Sequence, residues 1–201
     1  MNGTMKTIAL IPARKGSKRL PHKNVLKINN KALIEYAIEQ AKNSAYIDKI
    51  IVSSDDSMVR EITDRYKNDR TIFRQRPKRL CKDDVSQMGV IRDLETKYKF
   101  DVLVLLQPTS PIRETRDIDK CIKLLLDGGF DSVVTVCRKI DFLFYPNGNI
   151  YVIRRGKELF SENMACMILN AEKSIDIDTK LDFRMAKFVL EKNCKEKGVK
   201  K

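Results

Sequence analysis

Short apolar runs alternate along the chain with segments in which apolar residues recur every three or four positions. The first pattern is typical of buried strands and the second of amphipathic helices, so their alternation predicts a doubly wound α/β fold with a mostly parallel central sheet. Strands are predicted at Thr7–Ile11, Lys49–Ser53, Thr71–Phe73, Asp101–Leu106, Ser132–Val136, Ile150–Ile153, Met167–Leu169 and Ser174–Ile177. Helices are predicted at Ala32–Asn43, Met58–Tyr66, Val85–Lys97, Arg116–Leu126 and from Thr179 to Leu190.

Three local signals mark the ends of predicted elements. Gly128-Gly129 is predicted to end the fourth helix, and Thr179 with Asp182 resembles a capping box for the last one. Asn147-Gly148 is typical of a tight hairpin turn, which we expect just before the strand at Ile150–Ile153.

The length of 201 residues and the hydrophobic fraction of 42% suffice for one domain with a substantial core. We predict a single domain at 1–191, followed by a basic, disordered tail at 192–201. No apolar run reaches the roughly 18–20 residues that cross a bilayer, and the first residues lack a signal-peptide pattern. The protein is therefore expected in the cytoplasm, without a membrane partner.

The formal net charge of +13 raises the question of a nucleic-acid partner. The cations are spread along the chain, however, and few aromatic residues lie among the basic runs, so nucleic-acid binding is not favoured. The five cysteines are widely spaced and include no CxxC pair, which favours reduced, mostly buried thiols over a disulfide framework.

A cation-rich loop follows the first predicted strand. The segment Ala13–Asn24 carries Arg14, Ser17 and Lys23 together with a glycine. Backbone N–H groups, hydroxyls and cations in one loop suit the phosphates of a nucleotide, and open α/β sheets bind ligands at the carboxyl ends of their strands. The loop has neither the Walker A nor the GxGxxG spacing, and a basic surface loop is the alternative.

A second polar loop, Gln107–Arg113, follows the central strand Asp101–Leu106. Gln107, Ser110 and Arg113 offer amide, hydroxyl and guanidinium groups, which suit a polyhydroxylated substrate whose carboxylate the arginine would bind. Because both loops follow parallel strands, we expect them at one edge of the sheet. A rigid turn whose polar groups satisfy one another is the alternative.

Two aspartates, Asp176 and Asp178, alternate with isoleucines in a predicted strand. The alternation places both carboxylates on one side of the chain, which suits Mg²⁺ shared with nucleotide phosphates. The alternative is that one aspartate caps the helix that starts near Thr179.

Two weaker signals complete the set. Arg76, on a stiff turn, could reach a base or a phosphate, while Asp83 and Ser86 either cap the next helix or contact a nucleoside. Asn147 and Tyr151 either belong to a plain hairpin or present their side chains to a sugar.

These segments occur in an order that resembles the acylneuraminate cytidylyltransferases, or CMP-sialic acid synthetases. The resemblance spans about residues 6–190 and rests on Ile11-Pro12-Ala13-Arg14-x-Gly16-Ser17-Lys18, Lys23-Asn24, Arg76-Pro77, Gln107-Pro108-Thr109-Ser110-Pro111 with Arg113, Asn147-Gly148-x-Ile150-Tyr151 and Asp176-Ile177-Asp178. It implies a three-layer, Rossmann-like nucleotidyltransferase fold. It also implies an Mg²⁺-dependent reaction in which CTP and an acidic nine-carbon sugar give a CMP-sugar and pyrophosphate.

The resemblance and the residue chemistry together assign roles. The expected nucleotide-binding residues are Ala13, Arg14, Ser17, Lys23, Asn24, Arg76, Val85 and Ser86. The expected sugar-binding residues are Gln107, Ser110, Arg113, Asn147 and Tyr151, and the expected Mg²⁺ ligands are Asp176 and Asp178. Lys23, Arg14 and Asp178 would carry catalysis by positioning and charge neutralisation.

The chain departs from the family pattern after the strand Ser132–Val136. Family members have a longer excursion there, which forms a dimerisation arm and reaches the partner's sugar site, whereas only Cys137–Pro146 remains here. A homodimer is possible, but the shortened arm no longer implies it. The apolar residues Phe142–Tyr145 would form either a contact patch or part of the core.

The predicted activity is transfer of CMP from CTP to a sialic-acid-like nonulosonate. Two alternatives stay open. One is the same chemistry on another sugar or alcohol, and the other is a nucleotide-binding homologue with little catalytic activity.

Overall fold

Strands and helices alternate in the computed structural model, which describes residues 5–140 and 143–196. The elements are β1 (Thr7–Pro12), β2 (Lys27–Ile28), β3 (Lys31–Ala32), α1 (Leu33–Lys42), β4 (Lys49–Ser54), α2 (Ser57–Arg65), β5 (Thr71–Gln75), α3 (Gln87–Glu95), β6 (Val102–Leu106), α4 (Thr115–Gly128), β7 (Ser132–Ile140), β8 (Leu143–Arg154), β9 (Met164–Leu169) and α5 (Lys180–Glu196).

Seven strands form one sheet in the order β5-β4-β1-β6-β8-β7-β9, and β2 and β3 form a separate small hairpin. β1 runs parallel to β4 on one side and to β6 on the other. β8 is antiparallel to both of its neighbours, and β9 pairs in parallel with β7. The predicted mostly parallel sheet is therefore confirmed.

Side chains along β1 alternate between two separate cores. Ile8 and Leu10 pack with α3 on one face of the sheet, while Ala9 and Ile11 pack with α1, α2 and α4 on the other. All four side chains are buried, as expected for a strand covered on both faces. Helices on both faces confirm the predicted three-layer, Rossmann-like architecture.

The Asn147-Gly148 signal was misread as a hairpin turn. Both residues lie inside β8, where the pairing register with β7 shifts beside Thr135. The Thr135 hydroxyl donates to the Asn147 Oδ1 at 2.7 Å and accepts from the Ile150 N–H at 2.9 Å, so it bridges the irregularity. Gly148 has φ 71°, the left-handed conformation that the residue pair predicts for a turn but that here lies within a strand.

The last part of the chain also differs from the prediction. Ser174–Ile177 is irregular and not a strand, and α5 continues to Glu196. Residues 192–196 are therefore helical where a disordered tail was predicted, and 197–201 lie outside the described residues. The capping box is confirmed, because the Thr179 N–H donates to Asp182 Oδ2 at 2.7 Å and the Asp182 N–H donates to Thr179 Oγ1 at 3.3 Å.

The glycine stop of α4 is confirmed by Gly129, which follows the helix with φ 68°. The thiols were predicted less well. All five are free, but only Cys121 is fully buried and Cys166 is exposed.

The first residues of β8 carry exposed apolar side chains. Leu143 and Phe144 are 49% and 42% exposed, and Tyr145 is exposed as well, so these residues are not part of the core. Phe142 lies outside the described residues. Among the helices in the described ranges, none has both the length and the apolar character needed to cross a bilayer. The cytoplasmic location stays a prediction.

Candidate active site

The loops that follow β1 and β4 are held together at the carboxyl edge of the sheet. The Ala13 N–H donates to the Ser53 carbonyl at 2.9 Å, and the Ser54 hydroxyl donates to the Ala13 carbonyl at 2.5 Å. The Lys15 N–H donates to Asp55 Oδ1 at 2.8 Å. The cation-rich loop is thus anchored at its base by backbone contacts, which leaves its side chains to face a cleft.

A cleft of about 260 Å³ lies between this loop, the start of α3 and the loop after β6; we call it the first cleft. It is lined by seven of the eight predicted nucleotide-binding residues, namely Arg14, Ser17, Lys23, Asn24, Arg76, Val85 and Ser86. The eighth, Ala13, is fully buried and does not line the cleft. Ala13 therefore supports the loop through its backbone.

Four cations of the loop are paired with two carboxylates. Asp83 accepts from Arg14 and, at 2.6 Å, from Lys18. Hydrogen bonds from these two cations lower the pKa of Asp83 to about 2. Asp178 accepts from Arg19 at 2.6 Å and from Lys23 at 2.8 Å. Four positive charges face two negative ones, so the loop retains an excess of positive charge for an anion.

Arg76 brings a further cation to the first cleft. The residue is 7% exposed, and its Nε has no hydrogen-bond partner among the described residues. Burial lowers the pKa of its guanidinium. A buried donor without an acceptor costs free energy, and a ligand oxygen that accepts from it removes that cost. Arg76 is therefore suited to bind a base or phosphate oxygen.

The amino terminus of α3 also borders the first cleft. Ser86 caps the helix, because its Oγ accepts from the Gly89 N–H at 3.1 Å, and the capping alternative is confirmed for this residue. Ser86 lines the cleft as well, so the two readings are compatible. The helix dipole adds positive potential at this point.

A second cleft, of about 520 Å³, adjoins the first and shares Gln87 and Gln107 with it. The second cleft is further lined by Cys137, Pro146, Asn147, Gly148, Tyr151, Ser174, Asp176 and Asp178. It therefore contains both predicted metal ligands and three of the five predicted sugar-binding residues. The ion pair between Lys23 of the first cleft and Asp178 of the second connects them directly.

Asp176 has the properties of a metal ligand. Its Oδ1 is buried without a hydrogen-bond partner in the described part of the chain. Burial raises the pKa of this carboxyl, while the nearby Thr109 hydroxyl opposes the shift. A Cβ at Gly148 would lie 3.2 Å from Asp176 Oδ2, a tight contact that would require the carboxylate to shift.

The carboxylate pair fits a magnesium ion that completes its coordination on a ligand. Residues 5–140 and 143–196 contain no cluster of three or more histidine, cysteine or acidic side chains that could hold a metal alone. Mg²⁺ in nucleotide sites commonly takes one or two carboxylates and adds phosphate oxygens. Asp176 and Asp178 supply two carboxylates, and the unpartnered oxygen of Asp176 is available to a cation.

A family profile described as cytidylyltransferase matches residues 8–195. The chain belongs to the cytidylyltransferase family. It is therefore a nucleotidyltransferase, as the motif order predicted.

Relatives of this cytidylyltransferase include three proteins named for nonulosonate activation. The N-acylneuraminate cytidylyltransferase of Escherichia coli is 30% identical over 96% of this chain and 54% of its own length. The CMP-N,N'-diacetyllegionaminic acid synthase of Legionella pneumophila is 30% identical over 94% of this chain and 98% of its own. The pseudaminic acid cytidylyltransferase of Campylobacter jejuni is 35% identical over 81% and 67%. The chain thus spans about half of the first relative and almost all of the second.

Two solved structures share the fold. A CMP:2-keto-3-deoxy-manno-octonic acid synthetase complexed with CTP superimposes with a TM-score of 0.73 at 18% identity, covering 94% of this chain and 99% of that one. A 4-diphosphocytidyl-2C-methyl-D-erythritol synthase from Anaerococcus prevotii gives 0.70 at 14% identity, covering 94% and 100%. These likenesses confirm the predicted nucleotidyltransferase fold.

Two predicted sugar-binding residues of the cytidylyltransferase do not reach either cleft. Arg113 is 2% exposed and directs its donors to the carbonyls of Gln107 and Asn149 and to the side chain of Gln40. Ser110 is fully buried and lines neither cleft. The structure therefore supports neither as a sugar contact, because both turn inward from the loop that was expected to present them.

Asn147 and Tyr151 do line the second cleft, but each is partly engaged by the protein. The Asn147 amide donates to Ser174 Oγ at 3.0 Å, and its carbonyl oxygen accepts from Thr135. Burial raises the pKa of Tyr151, and the ring contacts Phe160 edge-on at 6.2 Å between centroids. These side chains are held rigidly, which suits shape recognition of a ligand.

Gln87 is the main cleft residue that sequence reasoning missed. It is the first residue of α3, lines both clefts and has a buried Oε1 without a partner among the described residues. Its position directly after the capping Ser86 was the only available signal, since a helix amino terminus at a ligand edge directs its first side chains toward that edge.

Proposed function

We propose that this cytidylyltransferase transfers CMP from CTP to the anomeric hydroxyl of a sialic-acid-like nonulosonate and releases pyrophosphate, with Mg²⁺ as cofactor. Three relatives are named for sialic, legionaminic and pseudaminic acids, which are acidic nine-carbon sugars of one chemical class. The proposal for the acceptor rests on those names and on the second cleft.

The observation that supports the proposal most strongly is the junction of the two clefts. Seven predicted nucleotide-binding residues line one cleft, and the Asp176/Asp178 pair lines its neighbour. The Lys23–Asp178 ion pair, at 2.8 Å, lies where the clefts meet. A nucleotide in the first cleft and a sugar in the second would bring the α-phosphorus and an acceptor hydroxyl to this junction.

The chain's own residues would act by positioning and charge neutralisation. Arg14 and Lys18 would exchange the Asp83 carboxylate for phosphate oxygens, and Lys23 would leave Asp178 for the phosphate at which negative charge develops. The Nε–H of Arg76, which has no partner among the described residues, would donate to the nucleotide. Gln107, shared by both clefts, would orient the sugar toward the nucleotide.

Asp176 and Asp178 would hold Mg²⁺, which when bound neutralises phosphate charge and favours departure of pyrophosphate. Release of Lys23 from Asp178 would free one oxygen of that carboxylate for the metal, while Arg19 pairs with the other oxygen.

The test is pyrophosphate release from CTP and Mg²⁺ with a panel of N-acetylneuraminic, legionaminic and pseudaminic acids. We expect turnover with at least one of them and a loss of about 100-fold or more in Asp178→Asn, the usual scale for removing one group that stabilises transition-state charge. CTP binding without turnover on any of the three would contradict the proposal.

A different acceptor is the second candidate, because β7 and β8 are joined by the shortened connection, with Ile140 pairing directly with Leu143. The panel should therefore include 2-keto-3-deoxy-manno-octonic acid and 2C-methyl-D-erythritol 4-phosphate. Turnover with only one of these would favour the second candidate over the first.

A further inference from the structure

Arg113 is a buried charge whose bonds connect three separate segments. Its Nε donates to Gln40 Oε1 on α1 at 2.9 Å, its Nη2 donates to the Gln107 carbonyl at 2.7 Å, and its Nη1 donates to the Asn149 carbonyl in β8 at 2.8 Å. Within residues 5–140 and 143–196, no carboxylate lies within ion-pair distance of Arg113. The guanidinium therefore serves as a fork of donors for carbonyl oxygens.

A guanidinium in this position is an expensive way to fill a core. Burial of the charge lowers the pKa of Arg113 to about 9, and Asp176 is the negative group that opposes the shift. An apolar side chain of similar volume would avoid this desolvation cost, although it would leave the carbonyls unpaired. This desolvation cost indicates that the hydrogen bonds of Arg113 to three segments have a role of their own.

Two of the three partners of Arg113 belong to a cleft or adjoin one. Gln107 lines both clefts, and Asn149 directly follows Gly148, which lines the second. Asn149 also donates to the Lys173 carbonyl at 2.5 Å, beside the segment that leads to Asp176. Leu106 and Ile150 pair across β6 and β8, so Gln107 and Asn149 lie side by side just beyond that pair. The fork thus holds the start of the loop after β6 against β8, in one wall of the second cleft.

Gln40 completes the arrangement from α1. Its Nε2 donates to the Pro111 carbonyl at 2.9 Å and to the Arg113 carbonyl at 2.8 Å, while its Oε1 accepts from the Arg113 side chain. The loop is therefore held at both its backbone and its arginine, which restricts the position of Gln107 at the loop's start.

We propose that Arg113 is a positioning residue for the acceptor: it holds Gln107 against the β8 irregularity at Asn147–Asn149, and so fixes the shape of that wall of the second cleft. This inference rests on the proposed function, since it assigns the second cleft to the acceptor. Arg113 itself touches neither substrate.

The matched control is Arg154, at the other end of β8. Its Nε donates to the Phe130 carbonyl at 2.8 Å and its Nη2 donates to the Leu125 carbonyl at 3.0 Å, so it makes the same kind of bonds away from both clefts. Arg113→Met and Arg154→Met each remove a guanidinium from backbone carbonyls. Both variants should unfold at a lower temperature than the wild type.

Kinetic measurements should distinguish the two variants. In Arg113→Met we expect the acceptor KM to rise by about 10-fold or more, because small misplacements of orienting groups are costly, while the Kd for CTP measured by calorimetry stays within about threefold. Arg154→Met should leave both constants near the wild type. Equal changes in the two variants, or a CTP Kd that moves as much as the acceptor KM in Arg113→Met, would overturn the inference.

A readout without substrate keeps the inference separate from the proposed function. Amide hydrogen exchange should accelerate in peptides covering 105–112 and 146–151 in Arg113→Met but not in Arg154→Met. If Arg113→Met fails to fold, Arg113→Lys, which retains charge but lacks the fork, should show the same local acceleration. Unchanged exchange in these peptides would sink the inference, whereas absence of turnover in the wild type would sink only the proposed function.

Discussion

Lys23 is the cation at the junction of the two clefts, with its side chain 14% exposed and its Nζ 2.8 Å from Asp178. Replacement by alanine should lower kcat/KM for CTP by about 100-fold or more, because one donor to developing phosphate charge is lost. Stability should hold, since Arg19 still pairs with Asp178. Steady-state kinetics and thermal unfolding measure the two effects.

The control for Lys23 is Lys157→Ala, which removes an ion pair with Asp131 of 3.1 Å that lies outside both clefts. This variant should retain wild-type kinetics. Wild-type kinetics in Lys23→Ala would remove Lys23 from the catalytic account.

Asp83 forms ion pairs with two cations of the loop, as we expect a phosphate to do. Because Arg14 and Lys18 must leave this carboxylate to bind a triphosphate, Asp83→Asn should lower the KM for CTP, by about two- to fivefold on the scale of exposed ion pairs. Titration of CTP in the variant and in Asp131→Asn, a control outside both clefts, checks this. A raised KM in Asp83→Asn would show that the carboxylate organises the loop and does not compete with phosphate.

Residue chemistry was predictable from the sequence, but side-chain direction was not. Their residue chemistry together with the family resemblance placed Arg14, Lys23 and Arg76 in one nucleotide site, and all three line the first cleft. Arg113 offered the same chemistry on an equally polar loop, yet it turns inward to carbonyls contributed by segments 36 residues later and 73 residues earlier. Such long-range partners leave no local pattern, so the sequence could not distinguish a substrate contact from a positioning residue.

At the scale of elements, the irregularity in β8 places Gly148 against Asp176. Gly148 has φ 71°, and a Cβ there would lie 3.2 Å from Asp176 Oδ2. Gly148→Ala should therefore cost about 1 kcal/mol or more in stability and also displace Asp176, lowering the activity.

Gly156→Ala is the matched control, because Gly156 has φ 78° and nothing within 4 Å of the added Cβ. It should lose similar stability and retain activity. Denaturant unfolding and turnover separate the two; equal loss of activity in both variants would show that the effect is global.

Strands with a clear apolar pattern were predicted well. Segments whose structure depends on hydrogen bonds to distant residues were not. β1 and β6 are apolar on both faces and were found within one residue of their ends. Asn147-Gly148 has the local chemistry of a turn, but pairing with β7 and the bridge made by Thr135 absorb it into a strand. Ser174–Ile177 alternates like a strand, yet its backbone is held instead by the Ile177 N–H donating to the Thr109 carbonyl at 2.8 Å.

At the scale of the whole molecule, the net charge of +13 should act on a small anionic substrate more than on nucleic acid. Saturation with CTP at about 100 times its Kd should stabilise the fold by roughly 2.7 kcal/mol, or about 5–10 °C in Tm for a chain of this size. A single-stranded oligonucleotide at equal phosphate concentration should give a smaller shift that disappears with added salt. A larger, CTP-insensitive shift with the oligonucleotide would favour a nucleic-acid-binding protein.

The central claim is that CMP moves from CTP to a nonulosonate at the junction of the two clefts. ³¹P NMR of the reaction of the wild-type protein with CTP, Mg²⁺ and the preferred acid tests it most directly. The account predicts that the three CTP resonances are replaced by one phosphodiester resonance of a CMP-sugar and by pyrophosphate in equal amount. Appearance of CDP and inorganic phosphate, or persistence of CTP with every acid in the panel, would contradict it.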